Sequence, residues 1–168
     1  MTYDGFTLER DAAYTYALLM EAASRDGIYL EPIDCYRTYN EQKAAWNRRC
    51  PYTDQPIYEK DPITGEKFEV GSRSIRICTG PPTAQAGRSN HGWGRAVDFG
   101  DGNGTLGCRD RAFIWLQSNA QLFGWVHPPW AHCGRKTQEP WHWEYAGLVE
   151  ASLLPIAQVN PDLVAVME

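Results

Sequence analysis

Basic charge is scarce in this chain and nowhere concentrated. Lysine and arginine total 16 against 21 acidic residues, the net charge is −5, and no Lys/Arg run exceeds two residues. A nucleic-acid partner is not expected, because such binders present a basic patch. Long apolar runs are also missing. None approaches the ~20 residues of a membrane helix, so no span is expected. The first residues, Met-Thr-Tyr-Asp-Gly-Phe, carry neither the basic nor the apolar region of a signal peptide. Either a leader has been removed or export uses another route. There is no repeat, no low-complexity tract and no Cys-x-x-Cys pair, which argues against a thiolate zinc site. Histidine is sparse too, at four residues.

What is present suits one compact domain over residues 1–168. With 43% hydrophobic residues in 168, a second domain would leave neither half a proper core. The five cysteines are Cys35, Cys50, Cys78, Cys108 and Cys133. Two bridges and one free thiol form the simplest oxidised scheme. Cys50 and Cys78 bracket a Pro/Gly-rich stretch, and Cys108 and Cys133 bracket a predicted helix. The expected pairs are therefore Cys50–Cys78 and Cys108–Cys133, with Cys35 free; five reduced thiols is the alternative.

Along the chain, Leu8, Ala12, Tyr16, Leu19 and Ala23 recur at helical spacing, predicting a helix over 7–26 stopped by Gly27. A strand is expected at 28–31, ended by Pro32. Asn40 is the candidate cap of a second helix to about Arg49, with Ala44, Ala45 and Trp46 on its buried side. Residues 51–88, rich in proline and glycine, read as an irregular insertion. Within it, 57–60 and 67–70 flank an Asp61-Pro-Ile-Thr-Gly65 turn and predict a short hairpin, the rest being a surface loop beside the site. Strands are expected at 95–99, 125–127 and 141–145, and a third helix at 109–123. The last twenty residues are apolar enough to pack but unpatterned. The fold class is α+β, a small antiparallel sheet with helices packed on one side.

Chemistry concentrates in two segments, Ser89-Asn-His-Gly-Trp-Gly-Arg-Ala-Val-Asp98 and Glu139-Pro-Trp-His-Trp-Glu-Tyr145. Together they offer His91, Asp98 and His142, two imidazoles and a carboxylate, as the three protein ligands of a hydrolytic zinc whose fourth position takes water. Gly92 and Gly94 disfavour a helix between His91 and Asp98, so a turn leading into a strand is expected, with one of these glycines letting the backbone approach the metal. On that strand Val97 and Phe99 take one face and Asp98 the other. Asp98 alone would also suit a pair with Arg95 or Arg37, the lesser alternative. His142 and Glu144 share a face of their strand. Two carboxylates, Glu139 and Glu144, are then candidates for the general base, and chemistry leaves them level. His127 precedes Pro-Pro and His132 adjoins Cys133, so structural or surface roles are expected for both.

Ser89-x-His91-x-x-Gly94-x-Ala96-x-Asp98 with Glu139-x-x-His142 resembles the zinc D-alanyl-D-alanine carboxypeptidase and dipeptidase family. That family includes phage L-alanyl-D-glutamate endopeptidases and shares its zinc fold with the hedgehog N-terminal domain. Tyr36-Arg37-Thr38, followed by Gln42, is similar to its upstream element. The resemblance runs from about residue 30 to 145 and leaves 51–88 without a counterpart. It implies one zinc held by His91, Asp98 and His142, with Glu139 as the base. Arg37 would bind the scissile carbonyl oxygen, and Ser89, Tyr36, Gln42 and Trp141 would contact substrate, Trp141 against the alternative of core packing. Cys35 departs from the small residue often found before Tyr-Arg, which bears on the shape of the substrate pocket.

The expected activity is hydrolysis of peptidoglycan stem peptides by a monomer at the cell wall or outside the cell, as a D,D-carboxypeptidase. An L-alanyl-D-glutamate endopeptidase of the phage-lysin type is the alternative. A zinc-bound recognition domain without hydrolysis is the competing reading from another class.

Overall fold

A computed structural model of the chain describes residues 1–3, 6–79 and 83–147. The unpatterned final twenty residues lie outside the described residues, as do 80–82 of the insertion. β1 (Thr2–Tyr3) and β2 (Phe6–Thr7) form a minimal antiparallel pair ahead of α1 (Arg10–Arg25). The Glu9 carboxylate caps α1 by accepting the Ala12 N–H, and Gly27, at φ 68°, follows its end. The helix thus starts three residues later than its apolar spacing predicts, because Thr7 is taken up by β2.

The central sheet has the order β3 (Glu31–Asp34), β6 (Ala96–Gly100), β8 (His142–Tyr145), β7 (Trp125–Val126), antiparallel throughout. β3 lies later than the expected 28–31 and contains Pro32 instead of ending at it. It is an edge strand with a register shift between Pro32 and Asp34, a setting in which a residue without an N–H is tolerated. Ile28 and Leu30 are still buried in the core ahead of it.

Strand parity divides the chemistry from the packing. On the apolar face, Val97 pairs with Trp143 and Trp125 with Tyr145. Two helices cover this face. Tyr16 of α1 stacks on Phe99 with centroids 6.2 Å apart and meets Trp125 edge-on at 6.5 Å. Phe113 of α3 (Arg111–Asn119) meets Trp143 edge-on at 6.3 Å. Phe99, Phe113, Leu19 and Leu116 are essentially fully buried, each stabilising the fold by roughly 1.5–3 kcal/mol. The predicted stripe Phe113, Leu116, Ala120 and Phe123 is buried throughout, although its last turn is a tighter 3-10 turn over Ala120–Phe123. The opposite face carries Asp98, His142 and Glu144.

α2 (Tyr39–Arg49) stands on that second side. Its cap is Thr38, in a reciprocal capping box with Glu41, and Asn40 is already helical. Of its side chains only Gln42 is buried; Ala44 is exposed, and Ala45 and Trp46 are half-buried. The expected apolar face is absent because this helix lines a polar cleft and not the core. The insertion is also more regular than expected. β4 (Tyr52–Lys60) and β5 (Lys67–Arg76) form a long ribbon with a register shift at Ile57/Tyr58. Pro56 sits within it opposite Ser72; a two-stranded ribbon leaves each strand an outward edge that asks no N–H of a proline. Asp61 Oδ1 closes the turn by accepting the N–H groups of Ile63 and Thr64, both at 2.8 Å. Both expected disulfides are present, Cys50–Cys78 and Cys108–Cys133, and Cys35 is free and buried.

Candidate metal centre and active-site cleft

Three donor atoms from the two segments converge on the polar face of the sheet. His91 lies in a 3-10 turn (Asn90–Trp93) that Gly94, at φ 65°, ends ahead of β6. The Gly94 conformation serves packing against the chain ahead of α1. A Cβ there would stand 2.7 Å from the Glu9 nitrogen, and the Gly94 carbonyl accepts the Glu9 N–H at 2.9 Å. Gly92 likewise has only the Arg37 carbonyl oxygen near its Cβ position, at 3.8 Å. Asp98 and His142 are direct partners across β6 and β8. His91 Nε2 lies 3.3 Å from His142 Nδ1 and 3.3 Å from Asp98 Oδ1, and His142 Nδ1 lies 2.8 Å from Asp98 Oδ1. All three residues are buried.

This donor set fits zinc. Donors at about 2.0–2.1 Å from a tetrahedral ion stand about 3.3 Å from one another. Two of the three separations already have that value, and the third is a direct Asp98–His142 hydrogen bond that a metal would open slightly. The ring orientations also fit. His91 Nδ1–H donates to the Cys35 carbonyl, which leaves the Nε2 lone pair facing the cluster. That contact uses the backbone of Cys35, while its thiol is packed in the core and pushed up to about 12, first by burial and then by Asp34 and Asp98. The unusual residue therefore supports the centre through a carbonyl that any side chain would leave in place.

Without a metal the cluster is held by protons. Burial opposes the charged form of His142, but its hydrogen bonds to Asp98 and Glu144 outweigh that and raise it to about 9. Burial would raise Asp98, yet the bonds from His142 and His91 carry it well below the ordinary carboxylate range.

The cleft over this cluster has a volume of about 610 Å3. Arg37 enters it from the segment between β3 and α2. Its Nε and Nη2 grip Asp34 Oδ2, both at 2.7 Å; Nη2 also lies 3.5 Å from Asp98 Oδ2, and Nη1 donates to Gln42 at 3.2 Å. Nε and one Nη1 hydrogen are hydrogen-bonded and Nη2 is ion-paired with both carboxylates, which leaves the second Nη1 hydrogen for the cleft. Gln42 is buried with both amide ends engaged, since its Nε2 donates to the Ala84 carbonyl at 2.6 Å. It ties Arg37 to the cleft wall. Glu139 is buried beside the cluster, and among the described residues no hydrogen-bond donor holds its carboxylate. Burial raises its affinity for a proton and Asp98 adds to this, against an opposing pull from His142.

The profile of the VanY family, D-alanyl-D-alanine carboxypeptidase, matches residues 5–148. The chain belongs to this family. A D-alanyl-D-alanine carboxypeptidase of Enterococcus faecalis is 25% identical over 137 residues, covering 80% of this chain. The match takes in 46% of that protein, so the chain spans about half the length of this curated relative. Among solved structures, VanYB in complex with D-alanine-D-alanine superposes with a TM-score of 0.59 at 22% identity, over 94% of this chain and 81% of its own. A VanY D,D-pentapeptidase in complex with Zn(II) gives 0.56 at 22%, over 92% and 80%. The LdcB LD-carboxypeptidase gives 0.58 at 21%, over 96% and 70%. At these identities the structures establish a shared fold.

Within this VanY-family cleft the structure places the remaining expected residues unevenly. Ser89 is buried and lines the cleft, as does Trp141, which also packs against the core. One ring of Trp141 thus packs against the core and borders the cleft. Tyr36 is 44% exposed and is not among the cleft-lining residues. Glu144 lies across the His142 ring from the donor cluster, its carboxylate 3.0 Å from Nε2. His127 is stacked on Trp143 with its Nε2 on the Glu139 carbonyl, and His132 is exposed on the His127 carbonyl. Among the cleft residues that the sequence did not single out, two bear directly on the cluster and its arginine. Trp130, whose ring centroid is 5.0 Å from that of His142, stands in a loop turn after Pro128-Pro129. Asp34, the main partner of Arg37, lies in the misplaced strand β3.

Proposed function

We propose that the chain is a zinc peptidase of peptidoglycan stem peptides that removes a terminal D-alanine, holding one zinc through His91 Nε2, Asp98 Oδ1 and His142 Nδ1. The observation that carries this reading is the convergence of those three atoms beside a buried carboxylate, Glu139, that no donor among the described residues occupies. Zinc, when bound, supplies Lewis acidity and a water whose pKa falls to about 7. Glu139 takes a proton from the attacking water and delivers it to the departing amine. Its raised proton affinity suits both transfers, because a group that titrates nearer neutrality is the better acid and base. Arg37, fixed by Asp34 and Gln42, turns its remaining Nη1 hydrogen on the carbonyl oxygen as negative charge develops. Ser89, Trp130 and Trp141 line the space left for the peptide.

The VanY membership and the D-alanine-D-alanine complex of VanYB favour a terminal D-Ala-D-Ala substrate over an internal bond. We read the protein as a monomer, because this chain itself supplies the donor cluster, Arg37 and Glu139. Two disulfides, each tying down a segment that borders the cleft, suit an oxidising compartment such as the cell wall or the medium. Incubation of the zinc-loaded protein with a muramyl pentapeptide, followed by mass spectrometry, tests the reading. Loss of one alanine is expected. Release of the peptide after its first alanine would replace it with an endopeptidase, and an intact substrate would replace it with a recognition domain.

A further inference from the structure

We infer that Glu144 is a positioning residue for the metal, fixing His142 from its far ring nitrogen and joining the two ligand-bearing segments. The inference rests on the zinc centre proposed above. Glu144 follows His142 by two residues on β8, so both side chains leave the same face of the strand. Its backbone is set from both sides, by Ala96 of β6 and Val126 of β7. Its Oε1 lies 3.0 Å from His142 Nε2, and the Asn90 side chain, in the same cleft lining, favours its charged form. Nε2 and Nδ1 point to opposite sides of an imidazole. A proton held on Nε2 by Glu144 therefore leaves the Nδ1 lone pair for the cluster of Asp98 and His91.

The two histidines are thus matched from behind by different groups. A neutral carbonyl, that of Cys35, accepts from His91. A carboxylate accepts from His142 and makes that imidazole the more basic ligand. The Asn90 contact adds a second consequence. Asn90 immediately precedes His91, so Glu144 couples the turn carrying the first histidine to the strand carrying the second. This also separates the two carboxylates that the sequence left level as candidate bases. Glu139 has no donor among the described residues, whereas Glu144 is engaged by His142 and Asn90.

The test is zinc affinity, measured by chelator competition on the full chain, with cobalt substitution to read the ligand field. Glu144→Gln keeps the size and one acceptor but loses the charge; about a tenfold weaker zinc complex is expected, and Glu144→Ala should approach about a hundredfold. The visible spectrum of the cobalt-substituted protein should shift in both. Asn90→Ala should weaken binding in the same direction by less. Should Glu144→Ala not fold, the isosteric Gln variant alone decides. Folded Glu144 variants with the parent's zinc affinity and an unaltered cobalt spectrum would overturn the inference. Failure of the zinc centre itself reads differently: the parent would bind no stoichiometric zinc, or His142→Ala would bind it as tightly as the parent.

Discussion

Removing the metal from this protein should leave a fold that weakens as the solution becomes more alkaline. In the metal-free state His142 lies between Asp98 and Glu144 and is raised from its ordinary value of 6.5 to about 9. A group raised in the folded state contributes stability that is fully present below its unfolded value and is lost as pH climbs through the folded one. The window is therefore pH 6.5 to 9. At 1.36 kcal/mol per unit the loss is about 3 kcal/mol. The depressed Asp98 reports the same contact, so it is not added again. For a chain of this size the loss corresponds to a fall in melting temperature of about 6–12 °C. His127, moved downward by burial, acts below the window, whereas the buried Cys35 thiol, raised from 9.0 to about 12, adds a fall of the same sign from about pH 9 upward, so the steps below pH 9 report His142. The assay is thermal unfolding of chelator-treated protein at steps from pH 6.5 to 9.5. Zinc reverses the trend, because the metal displaces the His142 proton and its stabilising increment grows with pH. A flat or rising melting curve for the metal-free protein, or a zinc increment that shrinks as pH rises, would refute the reasoning.

Arg37→Lys should keep zinc but lower kcat/KM by about two to three orders of magnitude, since a point charge cannot hold Asp34 at two nitrogens and still present a donor to the oxyanion; unchanged turnover would remove Arg37 from the reaction. Gly94→Ala should destabilise the fold by about 2–4 kcal/mol, from a left-handed φ and a Cβ forced into the Glu9 backbone. Denaturant unfolding checks this, and a change near zero would contradict the close packing of Gly94 on Glu9.

Much of the site was legible because strand parity and ligand chemistry are local properties. The alternation in Ala96-Val-Asp-Phe99 separates Asp98 from the core, and His142 and Glu144 share a face as their two-residue spacing requires. The bridges were legible from the segments that the cysteines bracket. What escaped depended on context. Pro32 and Pro56 read as breaks, but an edge strand and a free ribbon ask no N–H of them. The apolar positions of α2 implied a buried face, whereas the helix turned out to border a polar cleft with Gln42 inward. Trp130 reaches the cleft through a loop fixed by Pro128, Pro129 and the Cys108–Cys133 bridge, and no periodicity marks such a position. Strand parity could not decide between Glu139 and Glu144, because Pro140 interrupts the strand between Glu139 and His142; the family resemblance named Glu139, and the structure adds that Glu144 is engaged by His142.

The central claim is that Glu139 moves protons beside a zinc it does not hold. Glu139→Gln, assayed for bound zinc and for release of D-alanine from a muramyl pentapeptide, tests it most directly. The account predicts one zinc per chain, as in the parent, with turnover abolished. Continued release of D-alanine, or loss of the zinc with the carboxylate, would contradict it.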